Sequence, residues 1–309
     1  MTQDHFAHLI EQCKEIPPVP AAVAHPCDAT ALRSTLEAAK LGLIKPVLVG
    51  PAHKIQSVAA EEKLDISSYT LENVEHSHAA AQRSAELARE GRVSMIVKGS
   101  LHSDELLGAI ASSQAGLRTD RRLSHVFATS VPSYHKTLFI TDAVVNIAPD
   151  LNQKADICRN AIDLLRILGV NTPKLAILSA IETISPKIQS TLDAAALVVM
   201  ARRGQIEGGI IDGPLAFDNA ISAQAAQMKG IVSDVAGDPD ILVVPNLESG
   251  NILFKDLIYL ANAQIAGIVL GARVPVALTS RSDTAQARIA SCAICALMAA
   301  AQSKKNAFL

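Results

Sequence analysis

The sequence predicts an α/β fold in two domains, and three observations predict it. Short apolar runs alternate with amphipathic helical patterns through the first half of the chain, an order that implies parallel strands joined by crossover helices. After a polar stretch the same alternation begins again at Thr137. A length of 309 residues suffices for two domains with a substantial core.

Taken in order, apolar positions at helical spacing predict a helix over 6–14, and a short apolar run predicts a strand over 21–24. Helix 29–41, strand 46–49, helix 52–64 and a weak strand at 69–74 follow. Next come helix 79–90, strand 93–97 and helix 104–112, then a basic connection over 116–125 into strand 126–130. The second half reads as strand 138–141, helix 155–168, strand 175–178, helix 192–203, strand 210–211 and helix 217–229. A turn-rich link over 234–240 leads to strand 241–244.

Composition narrows the class. Apolar residues make up 49% of the chain and aromatics 3%, with no Trp, so the core is aliphatic and alanine-rich, which suits helices packed closely on a sheet. A net charge of -2 speaks against nucleic acid as a partner, because such binding draws on surplus Lys and Arg. Cysteines at 13, 27, 158, 292 and 295 show no zinc spacing; Cys292 and Cys295 lie inside an apolar helical pattern and read as structural. Reduced thiols fit a cytoplasmic setting. The start of the chain lacks a basic region followed by an apolar one, and Arg, Asp or Gly breaks every long apolar run, so neither a signal peptide nor a membrane span is expected.

Two stretches carry the chemistry. Pro245 to Asn251 follows the apolar run 241–244, and Pro275 to Thr284 itself opens as an apolar strand pattern; each breaks at a polar turn and enters a helical pattern. A helix start leaves backbone N–H groups without intrahelical partners and presents the positive end of the helix dipole, so such turns favour anions. Ser249, Gly250 and Asn251 let a phosphate approach the backbone, and Lys255, about one turn into the helix, reaches the same anion. Arg281 adds a planar, permanently charged donor set beside a Ser hydroxyl and a carboxylate. Helix capping by Ser249, Ser282 or Asp283 explains any one of these residues equally. The turn Lys98-Gly99-Ser100 lies at the edge where α/β folds place ligands, or simply opens a helix capped by Ser103 or Asp104.

The segment from Pro245 to Lys255, with Pro275 to Asp283, resembles the signature of the phosphate acetyltransferase and phosphate butyryltransferase family. Thr141-Asp142, Thr191-Leu192-Asp193-Ala194-Ala195 and Asp212-Gly213-Pro214-Leu215-Ala216 are similar to it too. Gly116-Leu117-Arg118-Thr119 and Thr279-Ser280-Arg281-Ser282-Asp283 lean towards the butyryl branch. The resemblance implies an enzyme that moves a short acyl group, acetyl or butyryl, reversibly between coenzyme A and inorganic phosphate. Both are substrates; no permanently bound cofactor and no metal are implied. It further implies an isocitrate/isopropylmalate dehydrogenase-like architecture, with 1–132 plus 284–309 as one domain, 133–283 as the other carrying the site turns, and a cleft between them. A homodimer or larger assembly follows from the family's habit.

The resemblance assigns catalytic roles to Ser280, Arg281 and Asp283, and phosphate or coenzyme A contacts to Ser249, Gly250, Asn251, Lys255 and Lys98; on charge alone Arg121, one of three arginines in the 116–125 connection, either faces the phosphates of coenzyme A or belongs to a solvated loop. Where the acetyl branch has a carboxylate base about two turns after the Ser-Arg pair, this chain reads Ala285-Gln286-Ala287-Arg288, which leaves Asp283 as the nearest acid. Cys27 and Cys158 offer an acyl-enzyme route but have no evident neighbouring base. The rival reading is a metal-dependent NAD(P) decarboxylating dehydrogenase of the same fold, with Asp234, Asp238 and Asp240 on the metal; their Gly-Pro setting reads as turn chemistry instead. A phosphate- or coenzyme A-sensing protein without catalysis is the third.

Overall fold

The computed structural model describes residues 5–280 and 283–306. In chain order the first elements are α1 (His5–Gln12), β1 (Val19–Ala24), α2 (Ala29–Lys40), β2 (Ile44–Gly50), α3 (Ala52–Glu61), β3 (Thr70–Asn73), α4 (Ser77–Arg89), β4 (Met95–Lys98) and α5 (Ser103–Ala111). There follow β5 (Ser124–Ser130), β6 (Leu138–Thr141), α6 (Leu151–Ile167), β7 (Lys174–Leu178), α7 (Gln189–Arg202), β8 (Ile210–Leu215), α8 (Phe217–Ile221) and α9 (Ala223–Met228). The chain closes with β9 (Ile241–Val243), α10 (Leu247–Tyr259), β10 (Gln264–Leu270), β11 (Val276–Ala277) and α11 (Ala285–Asn306).

Two compact units result, one built from 6–121 and 266–309, the other from 122–265. Their changeovers fall at 121/122 and 265/266, whereas the sequence implied 132/133 and 283/284. The difference lies in β10 and β11. In the first unit the strand order is β3-β2-β1-β4-β11-β10, so β10 and β11 pack with the chain's beginning. Strand β10 has no counterpart among the sequence expectations, because Ala266 and Gly267 dilute its β-branched signal. Most pairs are parallel, but β10 and β11 run antiparallel: the five residues 271–275 between them are too few for a crossover helix.

The 122–265 unit carries the order β5-β6-β9-β7-β8. Again one pair, β5 with β6, is antiparallel, joined by a seven-residue connection, and the other pairs are parallel. The single helix expected over 217–229 is two, because Ser222 leaves helical geometry and its side chain accepts the Ala225 N–H to start α9. Side chains set several other helix starts in the same way. Asp28 caps α2, Asp150 and Gln153 form a reciprocal capping box at α6, and Asn246 and Ser249 form another at α10.

Helix α11 is long and apolar enough, by length and composition, to cross a membrane. Instead, Cys292 through Ala296 are buried, and the helix packs on α2 and β11. Alanine makes this close approach available: Ala21 to Ala24 of β1 are fully buried, and Ala290, Ala293 and Ala296 of α11 nearly so.

Candidate active site

The register of β4 and β11 builds the first cluster. Val276 pairs with Ile96 and Ala277 with Val97 in parallel, so Lys98 and the residues just after β11 leave the sheet at the same carboxyl edge. Gly99 is dictated by contact: a Cβ there would stand 2.4 Å from the Ala24 carbonyl oxygen and 2.5 Å from that of His25. Lys98 is 2% exposed, and its Nζ donates to the Thr279 carbonyl at 3.0 Å, tying the two strand ends together.

Beyond β11 the Ser280 amide donates to Asp283 Oδ2 at 2.6 Å, and the Asp283 amide donates back to the Ser280 carbonyl at 3.2 Å. Thr284, not Asp283, caps α11, its hydroxyl accepting the Ala287 N–H at 3.2 Å. Asp283 is thereby available for the Ser280 turn. Burial raises its pKa, while the Ser280 amide and the charges of Arg288 and Lys98 act against that rise. Arg288, 4% exposed, reaches back from α11 to donate to the Ser280 carbonyl at 3.0 Å and the Lys98 carbonyl at 3.4 Å. Burial lowers its pKa, opposed by Asp28 and Asp283. Lys98, Ser280 and Asp283 are thus brought together, and Arg288 is the member the sequence did not single out. The signal was present: a cation in the first turn of an otherwise apolar helix opposes the helix dipole. Arg281 and Ser282 lie outside the described residues.

The second turn differs from its expectation in geometry. Helix α10 begins at Leu247, so Ser249, Gly250 and Asn251 are already helical. The Ser249 amide donates to Asn246 Oδ1 at 2.9 Å, and its hydroxyl turns back on Asn246. The Gly250 amide donates to the Asn246 carbonyl at 3.2 Å. At Gly250 an added Cβ would meet Val244 Cγ2 at 2.7 Å and Ala143 Cβ at 3.0 Å, so the glycine admits a neighbouring segment. Asn251 Nδ2 donates to the Ala143 carbonyl at 3.4 Å. Lys255 is exposed and stands more than two turns into α10, about 12 Å of rise from Leu247, rather than one turn.

Near this helix start is a cavity of about 700 Å³ lined by Pro149, Asp150, Lys154, Ser190, Asp193 and Asn246. The beginnings of α6, α7 and α10 converge on it. Within it Lys154 Nζ donates to Asp193 Oδ2 at 2.7 Å, both side chains being buried. Asp193 belongs to the Thr-Leu-Asp-Ala-Ala element, but its partner Lys154 was not singled out, since 39 residues separate them.

The remaining polar motifs of the 122–265 unit are largely structural. Buried Asp142 accepts the amides of Val144, Val145 and Asn146, and the Asn146 side chain at 2.6 Å. Arg122 donates through Nε to Asn146 Oδ1 at 2.8 Å. Of the basic loop's arginines, Arg122 therefore anchors this knot. In the other unit the Arg121 amide donates to Thr119 Oγ1, which itself donates to the Gly271 carbonyl. Two of the three aspartates assigned to a dehydrogenase's metal are engaged by lysines: Asp238 pairs with Lys136 and Lys174, and Asp240 with Lys136. Burial pushes the Cys27 thiol up to about 11 and the Cys158 thiol to about 12, unfavourable for a nucleophile.

The chain is similar to known proteins. A family model described as phosphate acetyl/butaryl transferase matches residues 78–296. A phosphate acetyltransferase of Rhizobium meliloti is 55% identical over 295 residues, covering 96% of this chain and 93% of the relative. A phosphate butyryltransferase of Clostridium acetobutylicum is 38% identical over 286 residues, covering 93% and 94%. Among solved structures, a branched-chain phosphotransacylase from Enterococcus faecalis V583 matches with a TM-score of 0.79 at 28% identity, covering 91% of this chain and 99% of that one. The motifs lean towards the butyryl branch, yet identity is higher to the acetyltransferase. Together they favour the transferase over the dehydrogenase. The chain belongs to the phosphate acetyltransferase and phosphate butyryltransferase family of acyltransferases.

Proposed function

We propose that the protein transfers an acetyl group reversibly between coenzyme A and inorganic phosphate, with butyryl-CoA a poorer substrate. The single observation carrying the site assignment is the Ser280–Asp283 clasp beside two buried cations, Lys98 and Arg288, at one carboxyl edge of a sheet. The higher identity to acetyltransferases supports the choice of acyl group.

In the phosphorolytic direction a phosphate oxygen attacks the thioester carbon, the C–O bond forms, the C–S bond breaks, and coenzyme A leaves as thiolate. Holding both substrates together makes the step nearly unimolecular. Ser280 hydrogen-bonds the reacting carbonyl or phosphate, and Arg281 stabilises the charge that develops on the tetrahedral oxygen. In reverse, the thiol proton goes to Asp283, whose buried setting raises its proton affinity towards that of a useful base. Lys98, Arg121 and Lys255, with the first turn of α10 around Ser249 and Asn251, are the proposed partners for anionic groups of the substrates. Gly250 serves by letting α10 close on Ala143.

A cytoplasmic location, the isocitrate/isopropylmalate dehydrogenase type of two-domain architecture and a homodimer or larger assembly belong to the same proposal. The test is thiol release from acetyl-, propionyl-, butyryl- and isobutyryl-CoA with and without phosphate. Phosphate-dependent release, fastest with acetyl-CoA, is expected; release indifferent to phosphate with all four would remove the transferase assignment.

A further inference from the structure

We infer that Arg288 is a positioning residue for acyl transfer: its guanidinium clamps the Ser280 carbonyl to the Lys98 carbonyl and so sets the turn that presents Ser280 and Asp283. The role rests on the transferase reading above.

The geometry is specific. Arg288 is the fourth residue of α11, and a helical side chain there leans back towards the helix start. One terminal nitrogen donates to Ser280 and the other to Lys98, so a single planar group spans the ends of β4 and β11. A lysine ammonium is a compact charge that cannot reproduce this two-pronged hold.

Stability does not account for it. The guanidinium is buried at the positive end of a helix dipole, and its Nε has no hydrogen-bond partner among the described residues. Burying a charge with part of its donor set unused is unfavourable, and an apolar side chain of similar length fills such a space more cheaply. A residue kept under those conditions is explained by what it holds. The titratable groups acting on it are Asp28, which caps α2, Asp283, and Cys292 one turn further along α11. Facing Asp283 are Arg288 from α11 and Lys98 from β4. Removing Arg288 both releases the Ser280 turn and takes one of two cations from the carboxylate.

The experiment compares R288M and R288K with wild type as full-length enzymes, reading kcat and KM for each substrate, the pH profile in the direction that consumes coenzyme A, thermal unfolding, and hydrogen exchange of peptides carrying Ser280 and Asp283. R288M should lose about tenfold or more in kcat with KM for acyl-CoA within about threefold. Its unfolding midpoint should hold or rise, its Ser280 and Asp283 peptides should exchange faster, and its acid limb should move to higher pH. R288K should recover part of the lost kcat and restore the acid limb. Unchanged kcat in R288M, or a loss proportional to the fraction unfolded at the assay temperature, would overturn the role. If R288M does not fold, R288K decides: reduced kcat at an unchanged midpoint supports the clamp, and wild-type kcat refutes it. Absence of phosphate-dependent thiol release in wild type would instead overturn the transferase reading, while the exchange comparison would still judge the clamp.

Discussion

Replacing Gly250 by Ala separates two reasons for a glycine at the start of α10. If the glycine is there for backbone freedom near a phosphate, the variant should fold normally and bind phosphate poorly. The contacts point the other way. A new methyl would stand 2.7 Å from Val244 Cγ2, 3.0 Å from Ala143 Cβ and 3.1 Å from Ala143 Cα. Val244 and Ala143 are both buried, and the Ala143 atoms cannot rotate aside. Overpacking of this kind costs about 1–3 kcal/mol, against which the better helix propensity of Ala returns about 1 kcal/mol. The net is a destabilisation of about 1 kcal/mol, or about 2–4 °C in the unfolding midpoint of a domain this size. Urea and thermal unfolding would measure it. In a V244A background the loss should shrink, because the shortest contact is gone; that coupling is the signature of packing. The KM for phosphate should stay within about twofold of wild type. A G250A protein as stable as wild type but with a sharply raised phosphate KM would refute the reasoning.

The remaining predictions concern titration and thiols. Burial raises the Asp283 carboxyl above its ordinary range of about 3.9, so a reaction needing it ionised should slow as pH falls through that raised value. Asp283→Asn should abolish this acid limb in the coenzyme A-consuming direction; a limb that persists assigns the base elsewhere. At Asp238, burial pushes the pKa up, but hydrogen bonds from Lys174 and Lys136 outweigh it and hold the group at about 2. Its contribution to stability is therefore present above the unfolded value of about 3.9 and lost as pH falls towards 2. Denaturant unfolding between pH 5 and 2 should fall more steeply in wild type than in Asp238→Asn, and equal slopes would contradict the ion pairs. Iodoacetamide at pH 7 should leave most activity intact, since Cys27 and Cys158 sit at about 11 and 12; rapid stoichiometric inactivation would reopen the acyl-enzyme route.

Local features were legible in the sequence and distant pairings were not. Alternating apolar runs and helical stripes located most strands and helices, because burial imposes those periods directly. Strand β10 escaped because Ala266 and Gly267 carry little β preference, and the break at Ser222 escaped because a capping serine inside an apolar pattern looks like a helix interior. Choosing among capping residues also failed locally: Asn246 and Thr284 cap where Ser249 and Asp283 were equally plausible, and the choice decides which side chain is left for chemistry. The Lys98 bond to Thr279 spans 181 positions, and the Arg288 bond to Lys98 spans 190. No periodicity reports such contacts. Once the parallel register of β4 and β11 is known, both follow.

Strand β4 also bears on how the chain is made. On one flank it pairs with β1, already synthesised; on the other it waits for β11, 178 positions after Lys98. At roughly 5–20 residues per second, about 9–36 s of translation pass before that partner exists. Through this interval β4 presents a row of unpaired N–H and C=O groups, able to accept any extended strand nearby. Residues 122–265 meanwhile emerge whole and can fold as a unit. The vulnerable species for this protein is therefore a nascent chain with half a sheet and an open edge, which closes only when β11 leaves the ribosome and pairs with β4.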